Sequence, residues 1–309
     1  MLHKKVNKPI IWIALWSWSA RGLSHIWILK ALNQIWINPD IVCGTSIGSV
    51  IWASYVNWNL DKLEQWFWKL TKYEIFKFFN IGFKTSNLID KNKLKCFFNN
   101  YIGKENQNIE KLPKKFWCIA TCFDSWKEID FIKWNLYNSI ISSISLPGLF
   151  TPYYYNNKLL IDWWVVNPVP VSLCKKLWAD IVIAVDLNSM LVSQNKIKNN
   201  NTEPLNKDFF KNNIFNNVKK TLKIENKNNN KIEIPSMFKT LWKTIDIMQY
   251  KITNNKLIED TPDFILQPNV SHIWVIDFYK SQESIDMWFK CVINSKIQLQ
   301  KLINKKNIK

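Results

Sequence analysis

Glycine is scarce in this chain: 6 residues of 309, beside 18 tryptophans. Globular chains ordinarily carry roughly 7% glycine, so the tight turns here lack the residue that usually makes them. Arginine occurs once, at Arg21, among 42 basic residues. Histidine occurs three times, at His3, His25 and His272, which leaves a Ser-His-Asp triad little to draw on. The cysteines (Cys43, Cys96, Cys118, Cys122, Cys174 and Cys291) lack paired C-x-x-C spacing. They therefore read as free thiols in a reducing compartment rather than a disulfide or zinc framework. No run of 18 consecutive apolar residues exists, so no transmembrane helix is expected. The absence of a repeat or sustained heptad excludes collagen and coiled coil as whole-chain descriptions.

What is present is a chain 47% hydrophobic and 21% charged, apolar enough to exclude global disorder and long enough for a sizeable core. The net charge of +18 favours contact with anionic surfaces, either nucleic acid or phospholipid headgroups. The lysines are spread along the whole length together with asparagine and isoleucine, which reads as codon bias rather than a binding patch. No recognised nucleic-acid motif accompanies them, so no nucleic-acid partner is expected.

Lys4, Lys5 and Lys8 before an apolar run imitate a signal peptide, but Ile10 to Leu15 reads better as a strand running into a small-residue loop. Apolar residues every four positions, Leu23, Trp27, Ala31 and Ile35, predict a helix. Asn38-Pro39-Asp40 breaks it, Ile41-Val42-Cys43 forms a short strand, and a second helix follows through Val50 to Tyr55. Residues 60 to 100 read as helices. Phe116 to Thr121 and Ile129 to Ile132 read as paired strands around a turn at Asp124 to Lys127. Strands at Leu159 to Asp162 and Ile181 to Asp186 flank a helix at Val169 to Leu177. This alternation predicts an α/β layered fold with a mainly parallel sheet. Residues 188 to 231, rich in Asn and Lys, read as a flexible insertion with a short helix at Asp208 to Leu222, and residues 235 to 309 as C-terminal helices. One domain spanning residues 1 to 309 is expected.

Gly44-Thr45-Ser46-Ile47-Gly48 fits G-x-S-x-G, with an apolar strand before it and a helix after. On such an elbow the serine is forced outward, and small residues flank it because the backbone is crowded. A serine hydroxyl needs a base to take its proton. His3 lies in the ragged terminus, His25 in a helix where a core or surface role is the default, and His272 in an uninformative setting. Asp162 is the better base: it closes the apolar strand Leu159-Leu160-Ile161, where partial desolvation favours proton uptake.

Four segments resemble, in order, the motifs of the patatin-like phospholipase family. They are Trp16-Ser17-Trp18-Ser19-Ala20-Arg21-Gly22, Gly44 to Gly48, Ser142-Ser143-Ile144-Ser145-Leu146-Pro147-Gly148, and Asp162-Trp163-Trp164. The resemblance covers most of residues 10 to 190. It implies a three-layer α/β fold, a Ser46-Asp162 dyad, and an oxyanion hole formed by the loop of residues 16 to 22, positioned by Arg21. The implied activity is hydrolysis of an acyl ester in a phospholipid or lysophospholipid, without cofactor or metal. The implied setting is cytoplasmic, with peripheral contact at the anionic inner membrane surface.

Trp16, Trp18, Trp27, Trp36, Trp52, Trp163 and Trp164 fall where the family pattern has glycine, and Trp126 and Trp134 fall in turns where glycine is usual. A tryptophan held at positive φ costs about 1 to 3 kcal/mol. The expected explanation is that the source organism reads UGA as glycine where the sequence shows tryptophan. If the tryptophans are genuine, the loop and the Asp-Trp-Trp turn are obstructed, and the chain reads as a catalytically inactive patatin-like protein with a membrane-binding or interaction role.

Overall fold

Two five-residue runs with every side chain buried, Ile11–Leu15 (β1) and Ile181–Val185 (β7), form the centre of the sheet. Strands buried on both faces read as continuous apolar runs rather than alternating ones, and these two lie parallel with Trp12 opposite Val182 and Ala14 opposite Ala184. The computed structural model describes residues 9–15, 19–71, 73–74, 91–147, 150–163, 166–187, 237–269 and 281–307. The expected insertion at 188 to 231, with its helix at 208 to 222, lies outside the described residues. The chain divides into two compact units, Met1–Met190 with Met248–Lys309, and Leu191–Ile247. Of the second unit, only the helical residues 237 to 247 are described.

The sheet has the order β5-β6-β3-β2-β1-β7-β8, with β4 paired to β3 off this path. The remaining strands are β2 (Ile41–Gly44), β3 (Lys115–Cys122), β4 (Glu128–Phe131), β5 (Tyr153–Tyr155), β6 (Lys158–Asp162) and β8 (Phe264–Leu266). From β3 through β8 the pairs are parallel, whereas β4, β6 and β5 add antiparallel pairs around β3. The sheet is therefore mixed, its parallel half matching the expected fold and its other edge turned back by hairpins.

The helices flank this sheet. In chain order they are α1 (Ser19–Gly22), α2 (His25–Gln34), α3 (Ile47–Val56), α4 (Leu60–Lys69), α5 (Lys91–Tyr101), α6 (Leu136–Ser143), α7 (Val171–Lys176), α8 (Met237–Asp260), α9 (Ser281–Asn294) and α10 (Lys296–Asn307). α3 packs on β2, α6 on β3 and β6, α7 on β1 and β7, and α9 on α2. The helices expected across 60 to 100 are α4 and α5. The C-terminal region is not helical throughout, because β8 joins β7 there; three residues are too few to show a period.

α4 buries Leu60, Leu63, Glu64 and Phe67, a single helical face carrying one carboxylate. Lys30 on α2 pairs with that Glu64 and, at 2.7 Å, with the exposed Asp61. Burial works against the Lys30 charge, yet the hydrogen bonds to Asp61 and Glu64 hold its pKa above the usual lysine value. Lys30→Ala strands the buried Glu64 carboxylate and should lower stability by about 1–3 kcal/mol, whereas Asp61→Ala should cost less than about 1 kcal/mol. Urea unfolding of the two variants checks the difference.

Candidate active site

The elbow follows from crowding. A Cβ placed on Gly44 would lie 2.6 Å from the backbone of Gly48 and Ser49, and one on Gly48 would lie 3.1 Å from Leu15 Cβ. The end of β2 thus runs directly against the start of α3, at a distance only glycine permits. Between the two glycines Ser46 has φ 53° and ψ −124°, a left-handed backbone that a side chain holds only where its surroundings over-determine it. Those surroundings are visible. The Ser46 N–H donates to Ser143 Oγ at 3.0 Å, and the Ser46 carbonyl accepts from the Ser49 N–H at 2.9 Å and the Ser49 hydroxyl at 2.6 Å. Thr45 is wholly buried and Ser46 nearly so.

Asp162 reaches the same place by strand register. Cys118 of β3 pairs with Gly44 on one side and Phe131 of β4 on the other, and Ala120 pairs with Asp162 on one side and Ile129 of β4 on the other. Because β4 takes one edge of β3 throughout, β2 and β6 share the opposite edge end to end. Asp162 therefore lies two residues beyond Gly44 along that edge, about 7 Å at roughly 3.3 Å per residue. Ser46 follows Gly44 by two residues, so the serine and the fully buried aspartate both lie near the carboxyl ends of the parallel strands.

The serine-rich segment links them. Ser143 at the end of α6 accepts from Ser46, and the Ser145 carbonyl accepts from the Asp162 N–H at 3.0 Å. Sequence reasoning noticed this run but gave Ser143 no role; its signal was the Ser142-Ser143-Ile144-Ser145 repeat, whose partner only the fold reveals.

The other expected positions divide. Trp16, Ser17 and Trp18 of the loop, Trp164 of the turn, and His3 and His272 lie outside the described residues. Ser19 and Ala20 begin α1, and Arg21 in the same helix is buried. A Cβ on Gly22 would lie 2.0 Å from Ile47 Cγ2, so the end of α1 seats directly on the elbow. Trp163 is fully buried after Asp162. His25 is buried in α2 with its ring edge towards Trp288, centroids 6.3 Å apart, which is a core position. Burial pushes the thiols of Cys43 and Cys118 well above their usual pKa, Cys43 further through its hydrogen bond to Cys174. Both stay protonated near neutrality, which makes them poor nucleophiles.

A serine on a strand-to-helix elbow, at the carboxyl ends of parallel strands in an α/β sheet, is the arrangement of serine-hydrolase folds. The chain belongs to the patatin-like phospholipase family, whose profile matches residues 19–175. It is 28% identical over 182 residues to an uncharacterized NTE family protein of Mycobacterium tuberculosis (strain H37Rv), covering 59% of this chain and 50% of that one. It is 28% identical over 201 residues to Lysophospholipase NTE1 of Phaeosphaeria nodorum, covering 61% of this chain and 13% of that protein. The chain thus spans about half the length, or less, of these curated relatives. VipD from Legionella pneumophila resembles it with a TM-score of 0.44 and 11% identity, over 93% of this chain and 67% of that one.

Gly44→Ala forces a methyl into the Gly48 backbone and should cost about 1–3 kcal/mol of stability. Ser143→Ala leaves the Ser46 N–H without its acceptor and should cost a similar amount. Denaturant titration measures both.

Proposed function

We propose that the chain is a lipid acyl hydrolase, cleaving an acyl ester of a phospholipid or lysophospholipid with Ser46 as nucleophile and Asp162 as general base. The observation that carries this reading is the left-handed Ser46 on its glycine-flanked elbow, with buried Asp162 at the next step of the same β3 edge. Family membership and relatives named as lysophospholipases support the substrate class.

The Asp162 carboxylate takes the Ser46 hydroxyl proton as Oγ attacks the ester carbonyl carbon. The oxygen then bears negative charge, and the donor assigned to it is the N–H of Ile47, the residue after the nucleophile, since the next two N–H groups of α3 already donate to the Thr45 and Ser46 carbonyls. The resemblance assigns further donors to the loop of residues 16 to 22, of which Gly22 lies against Ile47. Each such donor is worth about 2.7–4 kcal/mol in the barrier. Collapse of the intermediate expels the alcohol portion, which takes the proton from Asp162. Water, deprotonated by the same carboxylate, then attacks the acyl-enzyme, and the fatty acid is released as Ser46 Oγ leaves and takes that proton back from Asp162.

No helix among the described residues is long and apolar enough to cross a membrane. Access to an aggregated substrate then falls to the net charge of +18, which draws the protein to anionic lipid. All six cysteines are free, in keeping with a reducing, cytoplasmic setting at the inner membrane surface. Binding to vesicles containing phosphatidylserine should weaken as salt rises, and salt-independent binding in a sedimentation assay would refute the electrostatic account.

The catalytic reading is tested by fatty-acid release from mono- and diacyl phospholipid. Ser46→Ala and Asp162→Asn should each reduce kcat by about a thousandfold or more, with unchanged circular dichroism. Undiminished hydrolysis by Ser46→Ala would sink the assignment.

A further inference from the structure

Tryptophans occupy places where this backbone asks for glycine. Among the described residues, nine non-glycine positions have positive φ, and five of them are tryptophan: Trp36 (65°), Trp58 (60°), Trp126 (58°), Trp134 (97°) and Trp178 (68°). Of the glycines Gly22, Gly44, Gly48 and Gly103, none has φ in that range. Only a few per cent of non-glycine residues adopt such a backbone, asparagine and aspartate foremost, and a bulky side chain there is an outlier. Asn156 and Asn157, in the β5–β6 turn, are the ordinary case.

Three of the five end helices in one way. After α2 the Trp36 N–H donates to the Asn33 carbonyl and the Ile37 N–H to Leu32; after α3 Trp58 donates to Tyr55 and Asn59 to Ser54; after α7 Trp178 donates to Lys175 and Ala179 to Cys174. Each is the paired hydrogen-bond pattern of a Schellman motif, whose left-handed C′ residue is usually glycine. Trp126 closes the β3–β4 hairpin, donating to the Cys122 carbonyl at 2.8 Å, where the left-handed loop residue is again typically glycine. Trp134, at 97°, lies beyond the left-handed helical well that asparagine tolerates.

At four of the five the indole is largely in water, whereas Trp134 packs edge-on against Phe131 and Tyr155. Trp36 is 88% exposed, Trp178 87%, and Trp58 and Trp126 78% each. A surface shaped to bind through tryptophan rings has no cause to coincide with helix C′ positions and hairpin loops. Trp58 and Trp178 carry no family motif and are singled out by the backbone alone.

We propose that these five tryptophans are glycines in the natural protein, encoded by UGA codons that its source organism decodes as glycine. The inference stands apart from the catalytic reading, since none of the five belongs to the Ser46 or Asp162 segments. Where Trp16, Trp18, Trp163 and Trp164 share that codon, the same decoding gives the oxyanion loop and the Asp162 turn their glycines.

The test has two arms. In the gene, codons 36, 58, 126, 134 and 178 are expected to be UGA, and peptides of the protein purified from its source are expected to carry glycine there by mass; UGG codons or tryptophan-containing peptides overturn the proposal. In a heterologous host that inserts tryptophan, the chain is compared with its W36G/W58G/W126G/W134G/W178G variant. The variant is expected to melt at a higher temperature, and an equal or lower midpoint overturns it. Neither arm reads hydrolysis, so a failed Ser46→Ala experiment leaves this result unaffected.

Discussion

One edge of β3 does most to define this site. An eight-residue strand offers its neighbours a longer ladder than the four residues of β2 can fill, and β6 completes it by entering from the opposite direction. β2 delivers the elbow and β6 delivers a buried carboxylate, so their separation is fixed by strand pairing rather than by loop conformation. Backbone ladders are among the least deformable parts of a fold. On the proposed assignment, the nucleophile and base are carried by strands of the same ladder, so their spacing is set before any substrate arrives.

The second constraint is the segment Ser143 to Ser145, which holds Ser46 through a side chain and Asp162 through a carbonyl. α6 is itself anchored at its start by Asn135, whose side chain accepts from the Asn138 N–H. A shift of α6 would therefore move the backbone of Ser46 and of Asp162 together. This coupling gives the serine-rich stretch a structural role between the elbow and the aspartate.

Much of this was legible in the sequence, for identifiable reasons. Ile11–Leu15, Ile41–Gly44 and Ile181–Val185 are apolar runs bounded by breakers, the pattern of strands buried on both faces, and Gly44 to Gly48 carries its own steric logic. Local pattern could not supply register: that Asp162 pairs with Ala120 on the edge holding Gly44 depends on residues some forty positions away in the chain. Nor could it supply β5 and β8, whose three residues each show no period. For His25 the sequence left a core or a surface role, and the packing of α9 against α2 makes it a core residue.

Positive φ appears in this protein under two physical regimes, and the contrast separates function from misreading. At Ser46 the strain is enclosed: glycines crowd it from both sides, Ser143 and Ser49 bond its backbone, and almost no solvent reaches it. Strain persists where the environment over-determines it, and such places are commonly reactive. At Trp36, Trp58, Trp126 and Trp178 the same backbone sits at the surface, with the indole largely in water. Nothing around those side chains offsets the cost, and four independent sites of uncompensated strain would take up a large share of a stability of about 5–15 kcal/mol. Glycine removes the cost at every one of them without altering a hydrogen bond, because the bonds that define these turns are made by the backbone alone. The fold is consistent with its sequence at Ser46, and it becomes consistent at the exposed turns once their side chains are taken away.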